Sequence, residues 1–252
     1  MSASLSDADA RAMVAAYPSW YHRIEVRPGI VTPGANDSPL NLRMLDLPPD
    51  CSGMRVLDLG ARDGFFSFEL ERRGAEVLAI DYMPAERTGF PIAAQLLGSR
   101  VVLRQANLYH LTAAEIGTFD LVLFLGLLYH LPDPIRAIRI VRSLCTWRMY
   151  LETLVIDEAV LMPDGSEAPL AQIDQRLAAV PLMQFFPGAV CNGDPTNYWG
   201  PNVRCVEAML AEAEFRVERV ARVPRRAVFQ CAAVSSPESA YFLNAADGSG
   251  RL

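Results

Sequence analysis

Apolar residues along 54–156 concentrate in short runs with few polar interruptions, at 54–59, 76–80, 101–106, 119–125 and 147–156. A run of four to eight or so apolar residues predicts a strand buried on both faces, not one with a wet side. Between the runs the pattern turns amphipathic. Residues 65–73 predict a helix closed by Gly74, and 134–144 a helix capped by Asp133 with Pro134 at its first position. Strands alternating with helices in this way predict an α/β, Rossmann-like parallel sheet with helices on both faces.

The flanks are patterned differently. Residues 1–17 predict an amphipathic helix, capped by Ser6 or Asp7 and stopped by Pro18. Two β-branched runs, at 20–26 and 30–34, surround Pro28-Gly29 and predict a hairpin. A loop rich in Pro and Asp leads from there to Met54. After residue 156 the rhythm breaks, and 157–200 is rich in Pro and Gly with one helical piece near 170–179. It is read as an inserted lid. Residues 202–213 predict a helix, and 215–221 and 227–234 an antiparallel C-terminal strand pair joined by Val223-Pro224-Arg225-Arg226. The expected layout is a cap at 1–45, a cofactor-binding core at 46–156, the lid at 157–200, completion of the core at 201–235 and a tail at 236–252.

Composition narrows the function classes. Of 252 residues, 51% are hydrophobic and 21% charged, which fits a globular chain and not a disordered one. No apolar run reaches the roughly 18 residues of a membrane span. No basic start leads into an apolar stretch, so a cytoplasmic protein without a membrane partner is expected. The five cysteines are odd in number and never stand as CxxC, which predicts reduced thiols. The three histidines do not stand at metal-ligand spacing, and no metal is expected. A net charge of −6 disfavours a nucleic-acid partner, because phosphate binding needs a basic surface.

The first run ends in Asp58-Leu59-Gly60-Ala61-Arg62-Asp63-Gly64. Glycines at 60 and 64 let backbone approach a ligand, and a helix start follows with free N–H groups. The spacing is not the G-x-G-x-x-G of a dinucleotide site. Asp58 would repel a pyrophosphate but suits the ammonium end of an amino acid. Asp81 ends the second strand, where a carboxylate can accept both hydroxyls of a ribose. Tyr82 and Met83 can pack on an adenine face. Asn107, after the third strand, can read an adenine amino group or simply form a turn.

These residues resemble class I S-adenosylmethionine-dependent methyltransferases over roughly 54–156. Asp58, Gly60 and Gly64 match that family's first motif and Asp81 its acidic second-strand motif. Asn107 stands where members often carry Asp or Asn. Arg62 departs from the pattern, standing where many members carry glycine. The resemblance implies the cofactor S-adenosylmethionine, held by Asp58, Gly60, Ala61, Gly64, Asp81, Tyr82, Asn107, Leu108 and Gly126. Trp20-Tyr21-His22, the run 29–34, Asp63-Gly64-Phe65-Phe66-Ser67-Phe68-Glu69 and Gly126-Leu127-Leu128-Tyr129-His130-Leu131 are similar to the branch related to bacterial tRNA wobble-uridine (carboxy)methyltransferases. That tRNA enzyme carries a longer N-terminal region.

Methyl transfer needs an aligned acceptor and, for some acceptors, a base. His130 follows the fourth strand and can act as that base, or it can organise the following loop. His22 is the second catalytic candidate. Trp20 and Tyr21 beside it, together with Tyr129, Asn197 and Trp199, are candidate acceptor-binding residues; core packing or a hinge is the competing role for most of them. Arg136, Arg139 and Arg142 are read as a solvated helix face. Arg216, Arg219, Arg222, Arg225 and Arg226 are either a phosphate-binding patch or one face of an edge hairpin. The expected function is O-methylation of a small molecule or sugar-containing metabolite. A tRNA wobble-uridine methyltransferase and a non-catalytic cofactor-binding protein are the alternatives, and the sequence does not fix an oligomeric state.

Overall fold

In the computed structural model, residues 5–234 are described, and the chain divides into two compact units, Met1–Phe124 and Leu125–Leu252. The expected tail at 236–252 lies outside the described residues.

The first unit opens on α1 (Asp7–Ala16). Ser6 caps it reciprocally with Asp9, each side chain accepting the other's backbone N–H. β1 (Glu25–Arg27) and β2 (Ile30–Val31) form the expected hairpin. α2 (Ser38–Leu45) stands inside the stretch read as a loop. Its Pro39 sits in the first turn, where the missing N–H leaves no hydrogen bond unmade, and Asp37 caps the helix.

Then come β3 (Arg55–Leu59), α3 (Phe65–Arg72), β4 (Glu76–Asp81), α4 (Phe90–Leu97), β5 (Val102–Gln105), α5 (Ala113–Ile116) and β6 (Phe119–Leu125). The strands pair in parallel in the order β6–β3–β4–β5. Leu57, Ala79, Leu121, Val122 and Leu123 are fully buried, as the apolar residues on both faces of these strands require. α4 had no counterpart in the sequence reading. Its Pro91 again lies in the first turn, and Gly98 ends it in the left-handed conformation at φ 64°. Trp20, Ile24, Val26 and Ile30 pack with Ala61, Phe68, Ala79 and Phe90, so the N-terminal segment belongs to this unit's core.

The second unit contains α6 (Pro134–Leu144), capped by Asp133 as expected, and β7 (Cys145–Leu154). Residues 157–200 hold a small hairpin of β8 (Val160–Leu161) and β9 (Glu167–Ala168), then α7 (Leu170–Ile173) and β10 (Met183–Phe185). β10 pairs with β11 (Trp199–Pro201). Phe186 and Cys191 from the insertion pack with Tyr129, Leu154 and Ile156. α8 (Val203–Glu212) is capped by Asn202 and leads to β12 (Phe215–Val223) and β13 (Arg226–Ala233). β13 pairs antiparallel with both β12 and β7, which gives the expected C-terminal strand pair a third member.

One helix face differs from expectation. Arg142 is not solvated; it donates to the carbonyls of Glu214, Cys145 and Val234 and so ties the end of α6 to the terminal strands. All five cysteines are free thiols. Among the described residues, no helix is long and apolar enough to cross a membrane.

Candidate functional site

In the first unit, the ends of β3 and β4 bring six of the expected cofactor residues together. Gly60, at φ 75°, and Ala61 both donate backbone N–H bonds to Ile80 O, at 2.8 and 3.2 Å. This fastens the turn after β3 onto the last residues of β4. Asp81 closes the arrangement. Its Oδ2 accepts from Arg62 N at 2.9 Å and its Oδ1 from Met83 N at 2.9 Å. The carboxylate is therefore fixed in orientation while each oxygen keeps a lone pair for a further donor. Tyr82, next to it, is 72% exposed.

Asp58 is buried and accepts from Ser67 Oγ at 2.6 Å. Burial pushes its carboxyl up to about 6; the Ser67 hydroxyl opposes that shift and the Asp81 charge adds to it. Gly64 starts α3 at φ 89°. A Cβ there would stand 2.7 Å from the rings of Phe68 and Phe90, so packing demands this glycine as well as backbone conformation. Arg62 holds a left-handed φ of 52° without being glycine, and its guanidinium touches the Met83 sulfur. Asn107 takes the turn-forming role: its side chain accepts from Tyr109 N at 2.9 Å, and Leu108 after it is buried. The Ala106 N–H bond to Asp81 O, at 2.9 Å, holds that turn at the end of β4.

Asp63 was not singled out from the sequence for any role. It is fully buried, and three backbone N–H groups converge on it. Tyr21 N and His22 N donate to Oδ2 at 2.6 and 2.9 Å, and Gly89 N to Oδ1 at 2.8 Å. The carboxylate thus pins the Trp20-Tyr21-His22 segment and the start of α4 to the turn after β3. Trp20 is a core residue: its indole N–H reaches Val14 O at 2.9 Å, and its ring fills the space a Cβ at residue 89 would need. Tyr21 stays exposed. His22 is buried beside Phe65 and Phe66, with ring centroids 6.2 and 5.8 Å away. Its Nδ1 has no partner among the described residues. Burial pushes His22 down to about 4, with the Asp63 charge opposing, so the ring is neutral at pH 7.

In the second unit, the residues after β6 form two polar clusters. Gly126, at φ 65°, donates to Glu152 O at 2.9 Å. The Glu152 carboxylate holds Arg226 Nη1 at 2.8 and 3.0 Å, and Arg226 Nη2 donates to the Tyr129 hydroxyl at 3.0 Å. Burial works against the Arg226 charge, but Glu152 and Tyr129 outweigh it and push its pKa up. The second cluster is built around His130. Its Nδ1 lies 2.9 Å from Thr196 Oγ1 and 3.2 Å from Thr196 O, and Thr196 Oγ1 donates to Asp194 Oδ1 at 2.7 Å. Tyr198 N donates to Tyr129 O at 2.8 Å, so both clusters involve the inserted stretch.

Asn197 is buried and spends its amide N–H on Cys191 O. Trp199 packs against Phe185 with the rings tilted by 57°, and it donates to Pro132 O at 3.3 Å. The arginines of the terminal strands are largely neutralised: Arg216 pairs with Glu218, Arg222 with Asp157, Arg225 with Glu167 and Arg226 with Glu152.

A family model described as "Methyltransferase domain" matches residues 38–192. The ubiquinone biosynthesis O-methyltransferase of Xanthomonas euvesicatoria pv. vesicatoria (strain 85-10) is 33% identical over 119 residues, 46% of this chain and 50% of that protein. The tRNA U34 carboxymethyltransferase of Campylobacter hominis is 32% identical over 132 residues, 49% of this chain and 45% of that one. The chain thus spans about half the length of the curated relatives it matches. Among solved structures, the N-terminal domain of EvdMO1, determined with SAH and D-fucose, superposes with a TM-score of 0.61 over 94% of this chain and 100% of that one, at 19% identity. That likeness shows a common fold.

Proposed function

The chain belongs to the methyltransferase domain family, and we propose that it transfers a methyl group from S-adenosylmethionine to an oxygen of a small molecule or sugar-containing metabolite. The observation that carries the cofactor reading is the fixed Asp81 carboxylate at the end of β4. Two backbone N–H groups orient it, its spare lone pairs suit the two hydroxyls of a ribose, and exposed Tyr82 beside it offers an aromatic face to adenine. Asp58, Gly60, Ala61 and Gly64 form the turn for the amino-acid end, with Asn107 and Leu108 completing the set within this unit. Arg62 does not spoil the fit, because the turn keeps its backbone bonds to Ile80 and Asp81 with arginine in place.

When bound, S-adenosylmethionine supplies an electrophilic methyl group on a sulfonium. This chain's residues then have to hold the acceptor and remove its proton. His130 is the base in this reading, with Tyr129 and Trp199 as acceptor-binding residues and the 157–200 stretch as a lid. The O-methyl preference is supported by the activity for which the Xanthomonas relative is named. A tRNA acceptor draws support from the Campylobacter relative, but four arginines of the terminal cluster carry acidic partners, and a neutralised patch attracts phosphate weakly.

Calorimetric titration with S-adenosylhomocysteine tests the reading. Saturable binding at micromolar concentration is expected, and its loss in Asp81→Ala assigns the carboxylate. No heat from a folded wild-type chain would overturn the cofactor assignment and leave the non-catalytic alternative without its ligand as well.

A further inference from the structure

His130 sits in an arrangement that decides which of its ring nitrogens carries the proton. Asp194 is held below the usual carboxylate range by the Thr196 hydroxyl and the Thr196 backbone N–H, both of which donate to Oδ1. An ionised carboxylate only accepts, so the Thr196 hydroxyl proton points to Asp194. The Thr196 carbonyl also only accepts. Both Thr196 oxygens within reach of His130 Nδ1, at 2.9 and 3.2 Å, are therefore acceptors, and Nδ1 must be the donor. Neutral imidazole carries a single N–H, which leaves Nε2 with a free lone pair. No described residue bonds to Nε2.

We propose that Thr196 and Asp194 are positioning residues that lock His130 as its Nδ1–H tautomer, so that Nε2 stands ready to take the proton of an acceptor hydroxyl. This rests on the methyl-transfer reading above. The step balances as follows. The acceptor oxygen forms a bond to the donor's methyl carbon as the C–S bond breaks, its electron pair passing to sulfur. The hydroxyl proton goes to Nε2, and the positive charge of the sulfonium ends as imidazolium. The charged groups around the ring act in both directions: Asp194 favours the imidazolium and Arg226 opposes it, and the Tyr129 ring packs at 4.2 Å. Burial, the largest influence, holds the ring's pKa below the usual 6.5 in the free protein, so at pH 7 the base is already deprotonated.

The relay gives the inserted 157–200 stretch a chemical task. Asp194-Pro195-Thr196 is a turn in which the aspartate side chain accepts the backbone N–H two residues on. The same Asp194 oxygen accepts the threonine hydroxyl and so fixes its rotor. A packing role alone would need neither that rotor nor the carboxylate.

The test is nitrogen-15 NMR of the full chain labelled in histidine. Only three histidines contribute, and His130→Gln identifies the signal of interest. In the wild type, Nδ1 is expected at a pyrrole-like shift and Nε2 at a pyridine-like shift. Thr196→Val should draw the two shifts toward each other and lower the titration midpoint of His130, because an acceptor and the link to Asp194 are lost. Thr196→Ser should restore both readings. A wild-type Nε2–H tautomer, or a Thr196→Val spectrum identical to the wild type, overturns the relay. The two failures are separable: absence of S-adenosylhomocysteine binding sinks the methyl-transfer reading, whereas an Nε2–H tautomer in a chain that binds it sinks only the relay.

Discussion

In the first unit the candidate carboxylates are held by near neighbours in sequence. Asp58 takes its bond from Ser67, nine residues on, and Asp81 takes its bonds from backbone N–H groups 19 and two residues away. In the second unit the partners are distant side chains: Thr196 reaches His130 across 66 residues, and Arg226 reaches Glu152 across 74 and Tyr129 across 97. The difference has physical content. A turn fastened by its own backbone is preformed wherever its two strands pair. A cluster of side chains from an insertion and a terminal strand exists only when the whole unit is folded, and it carries the ordering entropy of each long side chain.

The sharpest way to separate the two regions is by pH, because the first unit buries two titratable groups of opposite sense. Asp58 sits at about 6 in the fold against 3.8 unfolded. Its raised value contributes stability that is fully present below about pH 3.8 and lost as pH rises to about 6. His22 sits at about 4 against 6.5. Its lowered value contributes stability present above pH 6.5 and lost as pH falls toward 4. The two slopes oppose each other over one window, so the wild type changes little between pH 4 and 6 on their account. Asp58→Asn removes one slope. It is expected to gain about 3 kcal/mol over the wild type at pH 8 and little at pH 4, since a displacement of the pKa by one is worth about 1.4 kcal/mol. Urea melts at the two pH values check this, and an equal gain at both would break the assignment of Asp58 as a buried, ionisation-averse carboxyl.

A smaller effect is expected in the second unit. Glu152→Ala strips Arg226 of its carboxylate. For a fully buried pair the loss runs to about 3–5 kcal/mol. Arg226's side chain is 37% exposed, however, so water recovers part of the charge, and about 2 kcal/mol is expected. The double change Glu152→Leu with Arg226→Met should be milder than Glu152→Ala, because no unpaired charge remains. A double variant as unstable as the sum of its single changes would show that the cluster is not coupled.

The same contrast of near and distant partners governs what the sequence revealed. The strands were legible because burial on both faces leaves a continuous apolar stretch, as at 121–125. The turn proposed to hold the cofactor stood out in the sequence because its glycines and carboxylates are packed into 58–64 and 81. The helix at 38–45 was missed because a stretch rich in Pro and Asp reads as a loop, although Pro39 lies in the first turn, where proline supports a helix; the helix at 90–97, with Pro91 in its first turn, was not singled out. Asp63 was quoted within a motif but given no task, since its partners lie 26 to 42 residues away. The Glu152–Arg226–Tyr129 and His130–Thr196–Asp194 clusters left no local signature at all. Arg142 misled for a related reason: helical spacing says which face a residue occupies but not that distant carbonyls will cover that face.

Arg62 offers the smallest effect and the finest test of the preformed turn. A left-handed arginine carries a steric cost that glycine lacks, on the order of 1 kcal/mol. Its backbone N–H bond to Asp81 needs no side chain, so Arg62→Gly keeps the turn's hydrogen bonds while relieving the strain. Glycine's extra freedom in the unfolded chain takes back part of the gain. The contact to the Met83 sulfur is lost as well. Arg62→Gly is therefore expected to raise stability by less than about 1 kcal/mol and to leave S-adenosylhomocysteine affinity within a few-fold of the wild type. If instead affinity collapses while the melt is unchanged, the arginine side chain itself grips the ligand. The turn would then not be held by backbone alone, and on this point the first unit would behave like the second.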